Sequence, residues 1–151
     1  MQNIVFIVQN LAHRSDSVGF DCVFQYRRLE ECGYNCLVFA DVFNKDLHPN
    51  VRIRPFGEFY DYHRENENDI VIYHFCDGWE GVDDYLVAHS RNVFVRWHNN
   101  TPPWFYESEW PEFASGGLRG FKIIAKMARS DLKFLVNSDF TARQLASIGG
   151  E

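Results

Sequence analysis

The residues of this chain whose types and spacing could do chemistry sit in three short segments, each directly behind a run of apolar residues. Tyr73-His74-Phe75-Cys76-Asp77-Gly78-Trp79 puts a histidine at the end of one run and then turns on glycine. The imidazole is therefore expected to face a crevice rather than the hydrophobic core. There it can donate to a ligand oxygen or move a proton near neutral pH. A histidine hydrogen-bonded to a neighbouring loop is the other reading, and these residues leave the two level. Arg96-Trp97-His98-Asn99-Asn100-Thr101-Pro102-Pro103-Trp104-Phe105-Tyr106 is the most unusual segment: a polar cluster lies between a run end and two prolines that forbid helix continuation, and aromatic rings follow. Such rings beside hydrogen-bonding amides suit a carbohydrate or another amphipathic ligand, because a ring can stack while amides fix orientation. The alternative is a rigid loop whose aromatics fill the core. In the third segment, Arg14-Ser15-Asp16-Ser17-Val18-Gly19, the chain enters a helix whose free amides and glycine permit close approach of an anion such as a phosphate. Capping of that helix by Asp16 or Ser17 is the favoured reading of the segment in isolation.

Other chemistries find no pattern. The chain has no G-x-G-x-x-G, no G-x-x-x-x-G-K-[ST], no G-x-S-x-G, no H-E-x-x-H and no D-x-D. No metal is expected: His74, Cys76 and Asp77 diverge as near neighbours on one strand, and no second ligand pair closes a tetrahedron. Cys22, Cys32, Cys36 and Cys76 show no C-x-x-C spacing and are read as reduced and buried, in a cytoplasmic protein. Fifteen basic against 21 acidic residues give a net charge of -6, which repels nucleic acid and anionic lipid unless a local patch outweighs it. Nucleic acid is therefore not an expected partner. One locally basic stretch exists: Arg119, Lys122, Lys126, Arg129 and Lys133 fall within an arc of about 80° on a helical projection, beside an apolar face of Leu118, Phe121, Ala125, Ala128 and Leu132. A solvated outer face is the favoured explanation. A patch for a phosphate-bearing acceptor or for peripheral contact with the inner face of a membrane is the alternative. Asp77, Glu80, Asp83 and Asp84 are read as solvated surface.

The elements that must position these segments alternate along the chain. Ile4–Val8, Cys36–Ala40, Asp69–Phe75 and Asn92–Trp97 are β-prone runs of the kind buried on both faces of a parallel sheet. Val51–Pro55 suits a short edge strand, since it ends in proline. Helices are expected over Gly19–Cys32, with Phe20, Val23, Phe24 and Leu29 as its apolar positions and Gly33 as its left-handed cap, and over Glu58–Asn66, Asp83–His89 and Gly117–Ser130. Lys133–Val136 reads as a last strand, followed by a helix capped by Ser138 and closed by Gly149. The 151 residues have room for one domain, and the alternation predicts an α/β fold: a single Rossmann-like domain with a mostly parallel sheet of five or six strands, flanked by helices on both faces. In such sheets ligands bind outside the carboxyl ends of the strands, where all three segments would gather.

At these segments the sequence resembles the N-terminal domain of family-four retaining glycosyltransferases of the GT-B architecture. Asp69-Ile70-Val71-Ile72-Tyr73-His74-Phe75 is similar to that family's D-hydrophobic-Y-H-F strand. His98-Asn99-Asn100-Thr101-Pro102-Pro103-Trp104-Phe105-Tyr106 is similar to its H-N-x-T-P-x-x-F-F loop, and Asp16-Ser17-Val18-Gly19 to its G-D-A-x-G loop. Asn137-Ser138-Asp139-Phe140 through Leu145 and Gly149 resembles its serine-started helix. The resemblance runs from Asn3 to Gly149, and the His-Asn-Thr-Pro loop is its specific part. It implies that residues 1–151 form the acceptor-side domain, and that the family's second domain, which holds the nucleotide-sugar, is absent from this chain and would be needed in cis or in trans. By the same resemblance Asp16, Ser17 and Gly19 approach the donor diphosphate, His74 lies beside the transferred sugar as the catalytic candidate, and His98, Asn99 and Thr101 line the acceptor side, with Arg96 counted among them. The nucleotide-sugar is a co-substrate; no separate cofactor is implied, and this chain alone would be inactive. A stand-alone carbohydrate or small-molecule binding module, or one subunit of a split enzyme, are the alternatives.

Overall fold

In the computed structural model, which describes residues 2–13, 15–106 and 108–150, strands and helices alternate as β1 (Ile4–Leu11), α1 (Ser17–Glu31), β2 (Cys36–Phe43), β3 (Ile53–Pro55), α2 (Phe59–Glu65), β4 (Ile70–Phe75), α3 (Val82–Ala88), β5 (Val93–Trp97), α4 (Pro111–Met127), β6 (Lys133–Val136) and α5 (Asp139–Ser147). The strands form one six-stranded parallel sheet in the order β3-β2-β1-β4-β5-β6, so the four runs expected at its centre are adjacent there. β1 pairs in parallel with β2 on one side and β4 on the other, Ile4 lying opposite both Cys36 and Ile70. Ile4 to Val8 are all buried. Because successive strand side chains point to opposite faces, burial of five in a row requires cover on both faces, which is why the run shows no polar alternation. β3 is the edge beyond β2 and ends on exposed Pro55, where a missing N–H costs no ladder bond. No helix among the described residues is long and apolar enough to cross a membrane.

Within this fold the packing divides into two compact units, Met1–His74 with Arg91–Phe94, and Phe75–Ser90 with Val95–Glu151. In the first, α1 turns a different face to the core from the one its phenylalanines suggest. Gly19, Cys22, Val23 and Tyr26 are buried, whereas Phe20 and Phe24 are 68% and 54% exposed. The cause is at Gly19: a Cβ there would sit 2.9 Å from the Asn10 carbonyl oxygen and 3.0 Å from Leu11 Cδ2. The helix lies so close to β1 at this point that the residue without a side chain sets which stripe faces inward. At the other end Gly33, with φ +87°, takes the left-handed position expected of it, and Tyr34 and Gly33 donate back to the Leu29 and Glu30 carbonyls at 3.0 and 2.9 Å. The amino-terminal edge of this unit is tied by buried Asp69, which accepts from the Asn3 N–H and side-chain amide, both at 2.8 Å, and from the Tyr62 hydroxyl at 2.7 Å. Burial, reinforced by that bond to a carboxylate, pushes the Tyr62 phenol up to about 12.

In the second unit α4 starts at Pro111, six positions before the expected Gly117, because proline at the first helical turn lacks only an N–H that would be unsatisfied there. Its inward face is Gly117, Gly120, Ile124 and Met127; of the apolar stripe expected from Leu118, Phe121, Ala125, Ala128 and Leu132, the last two are buried past the helix end, Phe121 and Ala125 are partly exposed and Leu118 is half exposed. The basic residues are all exposed, but the helix ends at Met127, leaving Arg129 in a turn and Lys133 on β6. They do not continue one helical stripe, and Lys126 is paired with Asp84 at 2.5 Å. α5 repeats the α1 ending: Ser138 accepts from the Thr141 N–H at 3.2 Å, and Gly149 and Gly150 close the helix on Ala146 and Leu145.

All four cysteines are free thiols, as expected, but only Cys22 and Cys36 are buried. Cys32 is exposed at the end of α1 and Cys76 is partly exposed, because both fall just past the last residue of an element rather than inside it. Burial pushes the Cys22 thiol far above its usual range, and burial with nearby Glu30 raises Cys36 to about 11. Ellman's reagent at pH 8 should therefore titrate Cys32 in the native protein and reach Cys22 and Cys36 only after denaturation; equal rates at all four would contradict this packing. Gly19→Ala should cost about 2 kcal/mol in urea unfolding, because its neighbour is backbone and cannot step aside. Gly116→Ala, in the interior of α4 with nothing within 4 Å of the added carbon, should instead gain about 1 kcal/mol.

Candidate functional site

The strand order reverses between β1 and β4, since the chain runs outward from β1 through β2 to β3 and then resumes at β4 on the opposite side. In parallel sheets ligands bind beside such a reversal, at the carboxyl ends of the strands. In the first unit this end carries the start of α1. Asp16 caps the helix, its Oδ1 accepting from the Val18 N–H at 3.0 Å, which is the favoured of the two sequence readings. Ser17 is the first helical residue and is exposed, and Gly19 is buried against β1. Arg14, part of the same segment in the sequence, lies outside the described residues.

His74 is the residue before the last of β4, and here the structure departs from expectation. Its side chain is 0% exposed, packed with its ring 6.0 Å from that of Phe6, so the imidazole is enclosed rather than open to solvent. The physical reason is the pleat: a residue on an interior strand faces one covering layer or the other even at its end. Asp21, on the first turns of α1, brings Oδ2 to 3.9 Å from His74 Nδ1. The carboxylate is one-quarter exposed. The sequence reading missed Asp21, for the only signal is its position one helical step past Ser17, visible once α1 is known to lie against β1.

In the second unit the polar segment after β5 is built around Asn100, which is buried. Its Oδ1 accepts from the indole N–H of Trp97 at 3.1 Å, and its Nδ2 donates to the Cys76 carbonyl and, at 3.0 Å, to Asp77 Oδ1. The side chain thus fastens the loop after β5 to the loop after β4. Gly120 of α4 abuts it; a Cβ there would collide with Nδ2. His98 is held by its N–H to the Phe75 carbonyl at 3.1 Å, and Asn99 takes a left-handed backbone at φ 67° while its Oδ1 accepts from the Asn100 N–H at 2.8 Å. Arg96, His98 and Asn99 are partly exposed, and Thr101 is exposed. The subsequent rings do not fill the core: Trp104 is 71% and Phe105 69% exposed, with centroids 6.4 Å apart, and Trp110 and Phe113 are also more than half exposed. No Lys or Arg lies between Arg96 and Arg119, so this aromatic surface has only acidic and neutral neighbours in sequence.

The expected acidic run is partly structural. Asp83 is buried and its Oδ2 accepts from the Trp79 N–H at 2.6 Å, closing the turn into α3; a carboxylate at a helix start satisfies an otherwise orphaned amide. Asp77 serves Asn100, while Glu80 and Asp84 are exposed as expected. No protein-family model, no curated protein and no solved structure matches this chain.

Asn100→Ala should cost about 3 kcal/mol in urea unfolding, since it leaves the buried Trp97 indole and the Cys76 carbonyl without their partner. His74→Ala should cost about 2 kcal/mol, more than an exposed site residue would, because a buried ring is deleted. Losses within about 0.5 kcal/mol for both would refute the packing described.

Proposed function

We propose that the chain is the acceptor-side half of a retaining glycosyltransferase, contributing to transfer of a sugar from a nucleotide-sugar to a glycan or related acceptor. The observation that carries this reading is the segment from His98 to Tyr106, in which hydrogen-bonding groups at a strand end are followed at once by exposed Trp104 and Phe105. Amides, imidazole and hydroxyl can fix the orientation of a polyol while a ring face covers its C–H surface. Support also comes from the parallel sheet with its order reversal, the kind of place at which such sheets bind ligands, and from the resemblance of the His98, His74 and Gly19 segments to the corresponding segments of family-four enzymes. In this reading His98, Asn99, Thr101 and Arg96 serve the acceptor, the start of α1 at Asp16, Ser17 and Gly19 serves the donor diphosphate, and the Asp21-held His74 shapes the floor near the transferred sugar. Retaining transfer develops oxocarbenium-like charge, so fixed dipoles and the departing diphosphate carry most of the stabilisation.

The exposed rings equally favour a second reading, a carbohydrate-binding module without turnover. Mixing the chain with donor-binding domains and following transfer of a labelled sugar separates the two. Under the first reading the mixture transfers sugar, the chain alone does not, and His98→Ala or Thr101→Ala lowers kcat/KM for the acceptor by about tenfold or more. Glycan binding that is lost in Trp104→Ala, with no transfer in any mixture, would leave the module. Absence of both binding and transfer would dispose of each.

A further inference from the structure

Phe20 is the apolar residue of α1 most at odds with its expected place, and its surroundings give it a different use. Phe20, Val23 and Arg27 follow one another at i, i+3 and i+7, and so lie along a single stripe of the helix. That stripe forms one wall of a cavity of about 340 Å³, whose other side is made by His13 in the loop after β1 and by Leu47 and His48 in the turn after β2. All of these residues belong to the first unit. The lining has two parts of opposite character. Phe20, Val23 and Leu47 offer an aromatic face and an aliphatic floor, while Arg27, His13 and His48 bring a guanidinium and two imidazoles; no carboxylate lines the cavity among the described residues. Of the acids close to Phe20 in sequence, Asp16 is occupied at the helix cap and Asp21 lies against His74.

We propose that this cavity is a binding site for a small amphipathic anion, an apolar ring or short chain bearing one carboxylate or phosphate. The size is that of pockets that enclose a compact organic molecule. A guanidinium presents a planar fork that pairs two oxygens of such a head group, and imidazole N–H groups add donors beside it. The apolar stripe accounts for the body of the ligand, and for why an acidic protein leaves a phenylalanine 68% exposed on the cavity wall that also carries Arg27. Position agrees: the cavity lies at the carboxyl ends of β1 and β2, the end of a parallel sheet at which ligands bind. The inference stands apart from the glycosyl-transfer reading, because binding is measured on this chain alone.

Phenyl phosphate and phenylacetate, titrated into the isotopically labelled chain and followed by amide chemical shifts, test it, with benzyl alcohol and inorganic phosphate as arms lacking the charge or the ring. At least one of the two anions should bind saturably at about 1 mM or below, shifting residues 13, 20–27 and 47–48, and each truncated probe should bind at least about tenfold more weakly. The tighter of the two anions assigns the head group. Arg27→Gln and Phe20→Ala, both at exposed positions and expected to leave the unfolding curve unchanged, should each weaken binding by about tenfold. No saturable binding of either anion, shifts confined to other regions, equal affinity for benzyl alcohol, or variants that bind like the parent chain would overturn the proposal.

Discussion

The structure depends on the position of β1. It is hydrogen-bonded in parallel to β2 and to β4, and its side chains from Ile4 to Val8 are buried on both faces. A strand enclosed in this way has no tolerance for a polar residue and none for slippage, because a shift of one residue would turn every side chain to the other layer. Its carboxyl end is consequently a fixed edge, and the reversal of strand order occurs beside it. The start of α1, next along the chain after β1, is thereby placed at the carboxyl end of the sheet without any further instruction.

Close approach of backbone then decides the local geometry in both units. Gly19 lets α1 settle against Asn10 and Leu11, and this contact chooses the inward stripe of the helix over the one its two phenylalanines would have chosen. Gly117 and Gly120 let α4 lie against the Thr101 carbonyl and the Asn100 amide. Asn100 in turn converts two independent loops into one body, since it is the shared partner of Trp97, Cys76 and Asp77. A buried amide with donors and acceptor all engaged is costly to disturb, which gives the flanking His98, Asn99 and Thr101 a rigid support.

The surface divides by chemistry. Around Trp104 and Phe105 the rings are exposed with no Lys or Arg between Arg96 and Arg119, a setting that suits a neutral polyol. Beside Phe20 the setting is the reverse, with Arg27 on the same stripe and His13 and His48 across the cavity from it. The same side-chain type, an exposed phenylalanine, is thus offered in two electrostatic contexts that select different ligands.

The sequence alone determined the elements and the sheet. Ile4–Val8, Cys36–Ala40, Ile70–Phe75 and Val93–Trp97 are continuous β-prone runs, Asp16 and Ser138 are local caps, and Gly33 and Gly149 are local stops, all set by interactions within a few residues. Which side of a helix faces inward, and what surrounds a polar side chain, were decided only in three dimensions. Phe20 and Leu118 carry the hydrophobicity of core residues but lose their places to Gly19 and Gly120, because helix-to-backbone contact rewards the residue with no side chain. His74 was legible as a strand-end histidine, but its full burial and its pairing with Asp21 were not. Nor was the binding of Asn100 to residues more than twenty positions earlier. These contacts join segments far apart in the chain, and periodicity, which reports only neighbours on one element, has no term for them.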